Sequence, residues 1–180
     1  MDEATSELPD HRTYTAMNAE GEAAVGRIAI WAAWVEQHTV DLCAELINED
    51  HSVGNIVTAN MSASGMIQLA KKLATESEWV EAETKADTLA ALNEAKAALE
   101  QRNSVLHATV GGSLLEGKTA FWNSRRKRFR TGKLVGQLEA AHHDPAELDE
   151  IGERLYKAMD AVFESYLSVY SDRQNSLKKG

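Results

Sequence analysis

The chain has a single cysteine, Cys43, which excludes an internal disulfide. It sits in a helical pattern beside Leu42 and reads as a small buried hydrophobe. No Cys/His cluster has the spacing of a zinc site, so neither a metal nor another cofactor is expected. The two prolines, Pro9 and Pro145, fall near element boundaries, which favours long unbroken helices. No long hydrophobic run occurs. The most apolar stretch, "AAVGRIAIWAAWV", is too short to span a bilayer and contains Arg27. It also lies too far in, behind an acidic N-terminus, to be a signal peptide. A cytoplasmic protein with no membrane association is expected. Positive charge is scarce too. The net charge of −9 argues against a general affinity for nucleic acid. Yet "RRKRFRTGK" packs Arg125, Arg126, Lys127, Arg128, Arg130 and Lys133 into nine residues, a local basic patch on an acidic chain.

What is present is helical period. A content of 43% apolar and 26% charged residues over 180 positions fits one globular domain. Residues 1–18 read as a loose polar arm, 19–171 as the helical domain, and 172–180 as a frayed polar tail. Val25, Ile28, Ala32, Val35, Thr39, Leu42 and Leu46 form one face of a helix over about 20–49. Ile30, Trp31, Trp34 and Ile47 lie off that face, as a subunit interface or a central position in a bundle would require. "HSVGNIVTANMSAS" breaks the period, with Gly54 and Asn55 as turn formers. A second helix is expected over 62–76, with Met66, Leu69 and Leu73 inward. A third is expected over 78–108, on the stripe Trp79, Ala82, Ala86, Leu89, Leu92, Ala95, Leu99, Arg102 and Leu106. Residues 111–136 lose the period and read as a β-hairpin or extended loop. "DPAELDEIG" opens the last helix: Asp144 caps, Pro145 takes the first position and Glu147 completes a capping box. The fold class is all-α, an up-and-down four-helix bundle with a loop or hairpin insertion before the last helix.

Two patterns overlap in "RNSVLHATVGGSLLEGKT". "GGSLLEGKT" spells a nucleotide-binding P-loop, Gly-x-x-x-x-Gly-Lys-Thr. That loop needs an apolar parallel strand entering it and a helix leaving it, so that backbone N–H groups converge on phosphate. Here a long helix enters and an aperiodic aromatic-basic segment leaves. Gly111, Gly112, Gly117 and Lys118 therefore read as a helix stop and a turn.

"RNSVLH" is an Arg-Asn-x-x-x-His array. Arg102 falls on the apolar stripe of its helix, where a charge needs a partner or a ligand. Asn103 and His107, four apart, share a face and can hydrogen-bond. The helix ends soon after, so a groove can form there. Geometry sets a limit: Arg102 and His107 are about 140° apart on an ideal helix. Either the helix distorts or two subunits share a site. The competing reading is structural, with both residues as cations favoured at a helix C-terminus.

On these residues the chain resembles the HEPN domains (higher eukaryote and prokaryote nucleotide-binding). These are small helical bundles with an Arg-x4–6-His motif late in a long helix, often with a polar residue after the Arg. The likeness spans about residues 20–170. It implies a metal-independent endoribonuclease acting as a homodimer, with a composite site between two motifs. It also implies a toxin, phage-defence or other conflict setting, with an antitoxin or similar protein partner. Two positions depart from the pattern. Ala108 replaces a frequent glycine, and Thr109 replaces the tyrosine through which one subgroup is neutralised, so that control is not expected here.

The expected chemistry is attack by the RNA's own 2′-hydroxyl. His107 moves a proton, Arg102 holds the phosphate, and Asn103 orients one or the other. The basic segment would track the RNA backbone, with Phe121, Trp122 and Phe129 stacking on bases. Each has a plainer reading, as a solvated hairpin with aromatics packed on the helices. His142 and His143 read as loop residues, His38 as the polar edge of the first helix, and Glu36 as a solvent-exposed residue, with a neighbour of the site as the alternative. The alternative function is a non-catalytic helical module binding RNA or a protein.

Overall fold

A computed structural model describes residues 17–48, 51–113, 115–128 and 134–179. In chain order these form α1 (Ala19–Ile47), α2 (His51–Thr58), α3 (Ala63–Glu76), α4 (Ala82–Leu106), β1 (Thr109–Gly112), β2 (Thr119–Arg128), β3 (Leu134–His143) and α5 (Pro145–Leu177). The chain is thus mostly helical, with a small antiparallel sheet. The arm expected over 1–18 lies outside the described residues as far as residue 16. No helix among the described residues is long and apolar enough to cross a membrane.

Helix α1 starts where the Asn18 side chain accepts the Gly21 N–H at 2.9 Å, satisfying one free backbone donor. Ile28, Ala32, Val35, Thr39, Leu42 and Leu46 are buried along it, and Val25 packs against the core from a partly buried position. The off-stripe residues are a different matter: Ile30 and Trp34 face outward, and Trp31 is only partly covered.

The break expected after α1 is itself a helix, α2. Gly54 explains why the sequence hides it. A Cβ there would lie 2.3 Å from the Ala44 Cα, so glycine is needed for helix-on-helix approach, not for a turn. Helix α2 runs back along α1, and α3 therefore begins beside the middle of α1. Cys43 donates to the Met66 carbonyl at 3.5 Å on that contact.

Side-chain pairs give the helix directions. Arg27 with Asp149, Trp31 with Tyr156 and Glu45 with Arg173 show that α1 and α5 run parallel. Lys71 with Asn93 and Lys85 with Thr75 make α3 and α4 antiparallel, and Glu94 with Arg154 and Glu81 with Asp172 do the same for α4 and α5. Among the described residues the expected four helices are thus five, and the up-and-down order is corrected. The α2 crossover returns the chain before α3 starts, so α1 and α5 end up pointing the same way.

The stripe of α4 also shifts. Ala82 and Ala86 are exposed, whereas Thr88, Ala91, Leu92, Ala95, Ala98 and Leu99 are buried. On α5 the expected box is present: the Asp144 carboxylate accepts the Glu147 N–H at 2.9 Å, and the Glu147 carboxylate accepts the Asp144 N–H at 3.0 Å. The tail read as frayed stays helical to Leu177. Tertiary partners hold it. Asp172 accepts the Glu81 N–H at 2.9 Å. Arg173 pairs with buried Glu45 and lies 4.4 Å over the Trp79 ring.

The segment expected over 111–136 is a three-stranded sheet in the order β1-β2-β3, spanning residues 109–143. Gly111 faces Ala120 and Ala120 faces His142 across it. His142 and His143 are therefore strand residues, not loop residues. Phe121, fully buried, ties the sheet to the helical core.

Candidate functional site

The return of α2 along α1 has a consequence at the end of α4. It sets the start of α3 and the middle of α1 against the last turns of α4. Between them lies a cavity of about 280 Å³. Arg102, Asn103 and His107 all line it, joined by Glu36 from α1, by Ser62 and Ser64 at the start of α3, and by Lys96 and Glu100 earlier on α4.

The three motif residues are thus gathered within one chain. Their different positions on α4 make this possible. Leu106 is the last helical residue and His107 caps the helix, with φ −101° and ψ 6°. The His107 N–H still reaches the Asn103 carbonyl, at 3.4 Å. Asn103 and His107 are exposed and share a polar face with Lys96 and Glu100, at intervals of four, three and four. Arg102 points further round the helix, and its side chain is only 13% exposed. Its long stem carries the guanidinium to the cavity wall. The expected side-chain bond between Asn103 and His107 is replaced by the backbone contact.

The inward Arg102 has a partner: its guanidinium donates to the Glu36 carboxylate. Glu36 was expected to be solvent-exposed and is instead 38% exposed and engaged. The remaining guanidinium donors are not used by Glu36, and Nε is buried without a hydrogen-bond partner. The wall carries two permanent cations, Arg102 and Lys96, and two carboxylates, Glu36 and Glu100, with Lys96 and Glu100 3.8 Å apart. An anion entering here competes with Glu36 for Arg102.

The P-loop spelling is folded otherwise. Gly111 and Gly112 lie in β1, and Gly117 turns the chain with φ +72°. Lys118 reaches across to the start of α5, donating to the Glu147 carboxylate at 2.6 Å with Asp144 at 3.8 Å. That pairing holds the Lys118 ammonium above its ordinary value and the Glu147 carboxyl below its own. No helix follows Thr119 to present backbone N–H groups, since β2 does.

Of the basic segment, Arg125, Arg126, Lys127 and Arg128 lie on β2, and Arg130 and Lys133 fall outside the described residues. Phe121 is fully buried and cannot stack on a base, which corrects that expectation. Trp122 is 38% exposed, and Phe129 lies outside the described residues. His142 Nδ1 is 2.8 Å from Ser113 Oγ, and His143 packs on Phe121 near Glu147. His38 is more enclosed than expected, held between Trp34 and Phe163 with Asp41 at 3.5 Å.

Sequence reasoning missed Ser62, Ser64, Lys96 and Glu100. The polar run Lys96, Glu100, Asn103, His107 carried a usable signal, polar residues at helical spacing along the last turns of α4. Ser62 and Ser64 carried none, because their place depends on the α2 crossover.

No family model, no curated protein and no solved structure matches this chain. The site must therefore be argued from its own geometry.

Proposed function

We propose that this protein is a metal-independent endoribonuclease of the HEPN kind, working at the cavity where α4 ends. The observation that carries the reading is the gathering of Arg102, Asn103 and His107 on one cavity wall. Three residues chosen for phosphate and proton chemistry share a solvent-reachable cleft in a single chain.

In the proposed reaction the 2′-oxygen of one ribose attacks the adjacent phosphorus, and the bond from phosphorus to the 5′-oxygen breaks. The 2′-hydroxyl proton leaves with the base, and the departing 5′-oxygen gains a proton. The products are a 2′,3′-cyclic phosphate and a 5′-hydroxyl. His107 is the proton-transfer group, since an imidazole changes charge near neutral pH. Arg102 turns free guanidinium donors toward the phosphate oxygens, where negative charge builds. Asn103 positions the phosphate beside them. One chain's cavity holds the whole set, so this scheme does not require the composite two-subunit site that the resemblance implies. The basic stretch from Arg125 to Lys133 guides the RNA backbone. Cleavage of a host's or invader's RNA suits a toxin or phage-defence setting with an antitoxin-like partner.

One observation favours the second reading, a non-catalytic module that binds RNA or protein. The Glu36–Arg102 pair satisfies an inward arginine as a purely structural residue would be satisfied. The two readings separate on His107→Ala. A nuclease loses cleavage and its toxicity on expression. A binding module keeps its binding.

A further inference from the structure

The cavity holds a pair of charges that the cleavage scheme leaves unused, Lys96 and Glu100. They lie one turn apart on α4, on the face that carries Asn103 and His107. Leu99 and Ile67, both buried in the core, supply the apolar part of the same lining. A carboxylate is out of place where phosphate binds, because like charges repel. Two carboxylates line this cavity, and they are not equivalent. Glu36 is spent on the Arg102 guanidinium. Glu100 is not, since Lys96 Nζ stands 3.8 Å from its nearer oxygen, too far for a hydrogen bond. Glu100 is also seven residues from His107, about 10 Å of helix rise. That is about the reach from a nucleotide's phosphate to the pairing edge of its base.

We infer that this end of the cavity is a guanine pocket, with Glu100 and Lys96 as the residues that select the base. The inference rests on the reading of the cavity as an RNA site. Of the four RNA bases only guanine presents two N–H groups side by side, at N1 and at the N2 amino group. They match the two oxygens of one carboxylate. Guanine O6 lies next to N1 on the same edge and accepts from an ammonium. A carboxylate with an ammonium beside it therefore answers the whole pairing edge with three hydrogen bonds. Adenine and cytosine offer the carboxylate an amino group flanked by an acceptor, and uracil offers one ring N–H between two acceptors. Each leaves part of the pair unanswered, and an unanswered polar group weakens binding. The ring faces rest on Leu99 and Ile67. Single-stranded RNA leaves its pairing edges open to this kind of recognition. A volume of about 280 Å³ is at the small end for ligand pockets and suits one nucleotide unit.

Titration calorimetry of the wild-type chain with nucleoside 3′- and 5′-monophosphates tests the inference without requiring cleavage. In the tighter-binding series, guanosine monophosphate should bind about 10-fold or more tighter than inosine monophosphate, which lacks only the N2 amino group. The adenosine, cytidine and uridine monophosphates should bind more weakly than the guanosine one as well. Glu100→Gln should erase the difference between guanosine and inosine, and Lys96→Ala should weaken guanosine binding. An exposed pair one turn apart adds little to stability, so both variants should melt with the wild type. Equal binding of guanosine and inosine monophosphates by the wild type overturns the inference, and this comparison needs no variant to fold. A preference that survives Glu100→Gln overturns it too, as does the absence of any binding. The ribonuclease reading fails differently, as RNA left intact by a protein that still selects guanosine monophosphate. Cleavage with no preference for guanine next to the broken bond ends this inference and leaves that reading standing.

Discussion

Arg102 is where stability and activity should separate most sharply. Its side chain is 13% exposed and its partner Glu36 is 38% exposed. A fully exposed pair contributes about 0–1 kcal/mol, and breaking a fully buried one costs about 3–5. The Arg102 pair lies between but nearer the first, because Glu36 can rehydrate once its partner is gone. Arg102→Ala should therefore cost about 1–2 kcal/mol, part of it lost packing of the stem. For a chain of this size that is a fall in Tm of about 2–8 °C. Catalysis should suffer far more. Removing one donor from the site of developing charge typically costs about 100- to 1,000-fold. Single-turnover cleavage of a labelled RNA, measured well below the melting range, gives the second number. Arg154→Ala, which breaks the more exposed pair with Glu94, serves as a control of similar chemistry away from the cavity. A loss of cleavage no larger than that of Arg154→Ala would refute the assignment of Arg102 to the phosphate.

The other predictions are independent of one another. Glu36→Gln should strengthen phosphate or RNA binding, read by titration calorimetry, because it frees Arg102 from a competing charge; weaker binding would make Glu36 an orienting group. Gly54→Ala should destabilise by about 1–3 kcal/mol through overpacking on Ala44, against the gain of about 1 kcal/mol expected for this change in a free helix; a thermal melt that rises would contradict the close α1–α2 contact. Burial pushes the Cys43 thiol up to about 12. A thiol reagent at mildly alkaline pH should therefore modify it only after unfolding. Glu147 is held low mainly by Lys118, so its contribution is intact above its ordinary value of 4.5 and disappears as pH falls through its lower folded value. Lys118→Ala should return the Glu147 titration, followed by carbon NMR, toward 4.5 while leaving ATP binding absent before and after.

Much of the helical core was legible because period and capping are local. The α1 stripe, the Asp144 capping box and the span of α3 all follow from side chains within a turn or two of one another. That Arg102, Asn103 and His107 could line one cavity wall was suggested for the same reason, since they lie within six residues. What depended on distant contact was not. Glu36 and Arg102 are 66 residues apart. Helix α2 read as a break because its glycine looks like a turn former until Ala44 is placed against it. The direction of α1 relative to α5 follows from that crossover, which no local pattern encodes. The last turns of α5 read as a polar tail because Asp172 and Arg173 find partners on α1 and at the start of α4. Phe121 read as a stacking residue because alternating aromatic and basic positions do not reveal which side of a strand faces the core.

The central claim is that the α4 cavity cleaves RNA through His107 without a metal. It is tested most directly by incubating labelled single-stranded RNA with the purified protein in excess EDTA, beside His107→Ala. The account predicts cleavage by the wild type, with cyclic-phosphate and 5′-hydroxyl ends, and none by a folded His107→Ala. Cleavage that stops with EDTA, or that survives the loss of His107, would contradict it.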